Sequence, residues 1–145
     1  MNRAITFLAS SLSLLVGGLL YLCFRPESLT MFAWVKLVGL YPTVSELRMQ
    51  GASIAPILPD WLIFSAPNGL WVFSFGALMV TLWGSARLSV AFIWVAALWV
   101  VGITSEVMQL FSIVSGVYDP ADVIAYTIGL LGIFVFNKKG ERHEQ

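Results

Sequence analysis

The sequence predicts an all-α integral membrane protein: four transmembrane helices in one domain over residues 1–145, with an extracytoplasmic interfacial helical segment between the first and the second. Three observations predict it. Of the 145 residues, 59% are apolar and only 11% charged, where soluble domains carry about 25% charged residues. Several runs reach the about 20 residues needed to cross a hydrocarbon core about 30 Å thick, at about 1.5 Å per residue. Basic residues fall where they would share one face of a membrane.

The spans follow in order. Ile5 to Phe24 is an uncharged run after Met1-Asn2-Arg3. It is longer than a secretory signal core, and no A-x-A-like cleavage site precedes Arg25-Pro26, so it reads as an uncleaved anchor. Leu20-Tyr-Leu-Cys23 faintly resembles a lipoprotein cleavage site, but the bulky Leu22 argues against cleavage, and Cys23 reads as an apolar filler. Residues 69–86 and 88–113 form the second and third spans, joined tightly at Arg87, and 120–136 form the fourth. Lys138, Lys139 and Arg142 open a tail, 137–145, that anchors on anionic lipid.

Positive residues in short loops stay cytoplasmic. Arg3, Arg87, Lys138, Lys139 and Arg142 then lie on the cytoplasmic side with both termini, and the turn Ser112 to Tyr118, without a basic residue, lies outside. The localisation expected is a bacterial cytoplasmic membrane. The external loop 25–66 is apolar: Leu29 to Tyr41 carries Lys36 as its only charge, is too short to span, and is expected to lie at the interface as a short helix. Pro56, Pro59 and Pro67 are expected to break the chain beyond it.

Eight basic and eight acidic residues cancel, which removes the field that would draw nucleic acid. One cysteine excludes an internal disulfide and a cysteine-rich metal site. No cofactor is expected. The candidate site lies in the last two spans, where ionisable groups are costly and therefore informative. Gly102, Glu106 and Gln109 share a stripe of the third helix, and Asp122, Ala125, Gly129 and Gly132 share one on the fourth. The two stripes are expected to meet, with Ala121, Ala125 and Gly129 at the spacing that lets membrane helices approach closely. Asp119 before Pro120 reads as a helix cap, and Asp122 could strengthen the same helix end. Glu106 gains nothing from a helix start, so its alternatives are a functional role or a structural hydrogen bond to Gln109 or Tyr126.

The run Glu106-x-x-Gln109, a turn, then Asp119-x-x-Asp122 leading into Gly129-x-x-Gly132 resembles the signature of the VanZ-like family of small bacterial membrane proteins, over about residues 100 to 136. Pro59-Asp60 and Pro67-Asn68-Gly69-Leu70-Trp71 also resemble the loop before the second helix in some members. The family typically has a basic residue in the turn, where this chain has Gly116, and an asparagine four residues after the last aspartate, where this chain has Tyr126. The resemblance implies a cell-envelope role linked to resistance against glycopeptide antibiotics such as teicoplanin.

Without a basic residue in the turn, three arrangements are open for Glu106 and Asp122: a shared proton through Gln109, Tyr118 or Tyr126; a bound cation or amine; or Arg25 or Arg48 folding over them. The site expected is a ligand-binding one made of Glu106, Gln109, Asp119, Asp122 and Tyr126. Its expected partners are membrane lipid and a lipid-linked envelope precursor or glycopeptide. A membrane enzyme using paired carboxylates or a hard metal is the weaker reading, because no Ser-His-Asp set, histidine metal motif or phosphate loop accompanies them. A proton-coupled carrier is a third class and would need to be an oligomer, four helices being a thin wall. A structural partner of an envelope complex is the plain alternative. Trp94 and Trp99 carry no expected function, Trp99 offering only packing at mid-depth.

Overall fold

The computed structural model describes residues 3–83 and 88–141, with side chains for 3–83 and 89–135; Arg87 and Arg142, and the side chains of Lys138 and Lys139, lie outside what is described. Among the described residues all regular structure is helical, without a strand. The helices are α1 (Arg3–Phe24), α2 (Thr30–Leu37), α3 (Tyr41–Ile54), α4 (Ala66–Trp83), α5 (Leu88–Leu110) and α6 (Pro120–Glu141). A 3₁₀ turn (Ala55–Ile57) and a π-helical turn (Trp61–Ser65) lead into α4. Three helical stretches, Arg3–Phe24, Trp61–Trp83 and Ser89–Leu110, are long and apolar enough to cross a membrane, and Pro120–Val135 is a shorter apolar helix.

The span expected to start at 69 starts earlier, at Trp61, because Pro67 does not break it. Pro67 sits in the first turn of α4, where its missing N–H is tolerated. The chain enters that turn in the wider π register, with the Ala66 N–H donating to the Trp61 carbonyl. The third span ends short of 113. Ser112 adopts the left-handed conformation (φ 56°), and the N–H groups of Ser112 and Ile113 turn back to the carbonyls of Gln109 (2.9 Å) and Met108 (2.8 Å). That pattern satisfies the last free carbonyls of the helix and stops it.

Between α1 and α4, the expected short helix is present as α2, closed by the same motif at Gly39 (φ 75°). The sequence reading missed α3, which starts with Pro42 in its first turn and has a weakly apolar composition. Arg48 fastens it to α1, its Nη1 donating to the carbonyls of Leu22 (2.6 Å) and Arg25 (2.8 Å) at the C-terminal end of α1. The guanidinium also lies over the buried Phe32 ring (4.9 Å) and pairs with Glu27 (3.4 Å). Tyr41 donates to the same Glu27 carboxylate at 2.7 Å. This bond, with the negative charge behind it, holds the Tyr41 hydroxyl above the usual tyrosine range.

α4 is the hub: the apolar stretch Trp61–Trp83 is about half buried, whereas α1 is mostly exposed. α1 turns its small and polar stripe, Thr6, Ser10 and Gly17, toward α4. Ser10 and Ser74 exchange hydrogen bonds with each other's carbonyls (2.8 and 2.9 Å), and Gly17 makes room for the Trp71 indole. Val80, Ala91, Val95 and Ile133 form the buried core where α4, α5 and α6 meet. Phe92 stacks on Phe134 with ring centroids 4.5 Å apart. Trp99 has a partner after all: its indole N–H donates to Thr127 Oγ1 at 3.4 Å, joining α5 to α6.

α4 and α6 approach each other backbone to backbone. A Cβ at Gly69 would lie 2.6 Å from the Ala125 carbonyl oxygen, a Cβ at Gly129 would run into the Gly69 carbonyl, and one at Gly132 would meet Phe73 at 3.2 Å. The small-residue stripe of α6 therefore serves α4, not α5 as expected. Small residues are what bring backbones this near. Gly129→Leu should lower stability by about 2 kcal/mol or more, as overpacking at a backbone contact does. Gly18→Leu, with nothing within 4 Å of its Cβ position, should be near neutral. Thermal unfolding of the two variants in the same detergent checks the contrast.

Candidate functional site

The acidic residues gather where α5 ends and α6 begins, at the end of the bundle that also holds Arg25. Asp119 caps α6: its Oδ1 accepts the Ala121 N–H at 2.8 Å, and its carbonyl accepts the Asp122 N–H at 3.0 Å. Glu106, one turn before the end of α5, is only 2% exposed. Its Oε2 accepts the Asp119 N–H at 3.3 Å, so this carboxylate faces the positive end of α6. The expectation that Glu106 gains nothing from a helix start is thereby corrected, since the start it meets belongs to the neighbouring helix. Asp122, in the first turn of α6, has a buried Oδ1 with no hydrogen-bond partner.

Tyr126 lies one turn below Asp122 and packs on Gly102, whose Cβ would lie 3.0 Å from the ring. Gln109 is drawn to the turn: a Cβ at Gly116 (φ 142°) would lie 2.7 Å from its amide carbon. Among the described residues no hydrogen bond joins Gln109 or Tyr126 to Glu106, so neither expected structural bond forms. The structure thus brings Glu106, Asp119, Asp122 and Tyr126 together and places Gln109 beneath the turn.

Of the two arginines expected near the acids, Arg48 is engaged on α1 and Glu27. Arg25 is held between the Tyr21 and Phe64 rings, 5.4 Å from each, and its Nη2 donates to the Phe64 carbonyl at 2.7 Å. Its Nε is buried without a partner. Among the described residues, no group of three or more His, Cys, Asp or Glu is arranged to hold a metal ion.

A feature the sequence reading missed lies on the other side of the α4/α6 crossing. A groove of about 500 Å³ runs between the two helices, lined by Trp61, Ser65, Gly69, Phe73, Ala121 and Gly132 among others. That volume falls within the about 300–1,000 Å³ of small-molecule pockets. Ser65, 2% exposed, lines its upper part, and its Oγ has no partner. The glycines that create the groove were legible in the sequence, but their partner helix was not.

Asp119→Ala should remove the α6 cap and lower stability by about 1 kcal/mol, while Asp119→Asn should keep most of it; chemical unfolding of both variants separates a capping role from a need for the charge. No family model, no curated protein and no solved structure matches the chain.

Proposed function

We propose that the chain is a VanZ-like envelope membrane protein of four spans, with both termini cytoplasmic, whose carboxylate pocket opens outward and receives a polar headgroup. On this reading the headgroup belongs to a lipid-linked envelope precursor or membrane lipid, and its capture alters susceptibility to glycopeptide antibiotics of the teicoplanin type. The observation that carries it is the buried Glu106 carboxylate set beside an Asp122 oxygen that has no donor. Buried polar groups of native proteins are nearly all paired, so an orphaned carboxylate oxygen asks for a donor from outside the chain.

Two features support the fourth span and the orientation. α6 is one helix of 22 residues whose apolar stretch is Pro120–Val135, about 24 Å at about 1.5 Å per residue, close to the shortest spans. The turn between α5 and α6 carries no basic residue, as suits an external loop. α2 and α3 then form the external segment, with α3 fastened against the outer end of α1.

Glu106→Gln preserves shape but removes the charge. Cells carrying this variant should lose the effect of the protein on teicoplanin susceptibility while making folded protein in normal amount; unchanged susceptibility would sink the headgroup role. Topology is checked separately. Alkaline phosphatase fused within residues 112–118 should be active, and fusions at either terminus inactive; activity of a terminal fusion contradicts the orientation.

A further inference from the structure

Two arginines serve the C-terminal end of α1, and they differ in one respect. Arg48 has an anion: besides the carbonyls of Leu22 and Arg25, it holds the Glu27 carboxylate at 3.4 Å. Arg25 has none among the described residues. Its Nη2 donates to the Phe64 carbonyl at 2.7 Å, its Nε is buried without a partner, and its Nη1 makes no hydrogen bond among the described residues. A guanidinium carries several N–H donors in a fixed fork, and here most of them are unfilled. Its position is nevertheless held. The Tyr21 and Phe64 rings, each 5.4 Å away, and the Phe64 carbonyl hold the group where α1 meets the π-helical turn before α4. The charge is placed but not paired.

The level of Arg25 in the bundle decides which anion is at hand. Trp61, 59% exposed, opens the apolar stretch Trp61–Trp83, and an exposed indole at the end of a span marks the headgroup boundary. Phe64 lies less than one turn further in, and Arg25 directly follows the last residue of α1. An arginine there keeps its charge at the boundary, where phospholipids present phosphate. The negative pole of α1 would repel an anion, but Arg48 occupies the Leu22 and Arg25 carbonyls. We propose that Arg25 is a phosphate-binding residue, whose unfilled N–H groups donate charge-assisted bonds to the phosphate of a membrane lipid. Neither the carboxylates nor the α4/α6 groove takes part. The site stands whether or not the carboxylates receive a headgroup.

The full chain, isotopically labelled at the arginine guanidinium carbons, is placed in phosphatidylcholine vesicles free of inorganic phosphate, and carbon–phosphorus coupling is read by solid-state NMR. The Arg25 signal is identified by its disappearance in Arg25→Lys, or by its shift in Tyr21→Leu, where one flanking ring is removed. Either assignment suffices, so one variant that fails to fold does not stop the experiment. The expected result is coupling of the Arg25 carbon to lipid phosphorus, lost or weakened in Tyr21→Leu. Arg48, already paired with Glu27 and assigned through Arg48→Lys, should show none. A second sample, in a phosphorus-free glucoside detergent with inorganic phosphate added, separates the sources. Coupling in vesicles alone gives the site to the lipid headgroup, and coupling in both samples gives a phosphate site open to either source. Coupling with inorganic phosphate alone overturns the lipid assignment. No coupling at Arg25 in either sample overturns the site, and equal coupling at Arg48 overturns the argument that the missing anion singles out Arg25.

Discussion

The near-contact of the α4 and α6 backbones at Gly69, Ala125 and Gly129 is the constraint on which the rest of the structure depends. Between helices in hydrocarbon there is no hydrophobic drive, since lipid tails are as apolar as leucine, and association rests on packing and on a few interhelical polar bonds. Here the approach is close enough that neither helix has room for a side chain at the crossing. That single contact sets what lies on each side of it. On one side Asp122 and Tyr126 turn toward Glu106 and Gly102 of α5. On the other the chain of small residues leaves a groove. Site and groove are two consequences of one crossing.

Two other helix pairs add the polar alternative. α1 is held to α4 by the reciprocal Ser10–Ser74 bonds, and α5 to α6 by Trp99 and Thr127. Such bonds contribute modestly, about 0.6 kcal/mol each on average, because the separated helices also find partners. α1, whose leucines are mostly exposed, depends on them more than α6 does. At the Arg25 end, charges are sorted by the helix termini they meet. Asp119, Asp122 and Glu106 gather at the N-terminus of α6, where free N–H groups and the dipole favour anions. Arg48 serves the opposite pole, bonding the last carbonyls of α1.

Much of this was legible in the sequence, and what was not has physical reasons. Composition locates α1 and α5 because an apolar run long enough to cross a membrane is a strong, local signal, and it marks α6 as a shorter apolar helix. Asp119 before Pro120 announces a cap for the same reason. The end of α5 was misplaced by about one turn because Ser112 takes a left-handed conformation that glycine usually fills. The start of the second span was misplaced because Pro67 was read as a breaker, whereas the first turn of a helix tolerates it. The partner of the α6 glycine stripe is a matter of three-dimensional arrangement: Gly69 sits 60 residues earlier in the chain, and spacing along α6 alone does not choose between α4 and α5. Convergence of Glu106, Asp119 and Asp122 was readable because a short turn forces it; the place of Arg25, and the unpartnered Ser65, were not.

The carboxylates ask for more than the fold supplies. An ionised carboxylate offers about four acceptor positions, and removing it from water without donors is unfavourable. Glu106 receives one backbone N–H, at 3.3 Å, and Asp119 is occupied by its own cap. Asp122 Oδ1 receives nothing from the chain. Had the cluster served only to start α6, Asp119 would suffice, and Asp122 and Glu106 would be better replaced by apolar residues of like volume. The opposite imbalance stands at the same end of the bundle in the unfilled Nε of Arg25, and among the described residues no ion pair joins it to Asp122. The fold itself thus leaves an acceptor and a donor unfilled at one end of the bundle.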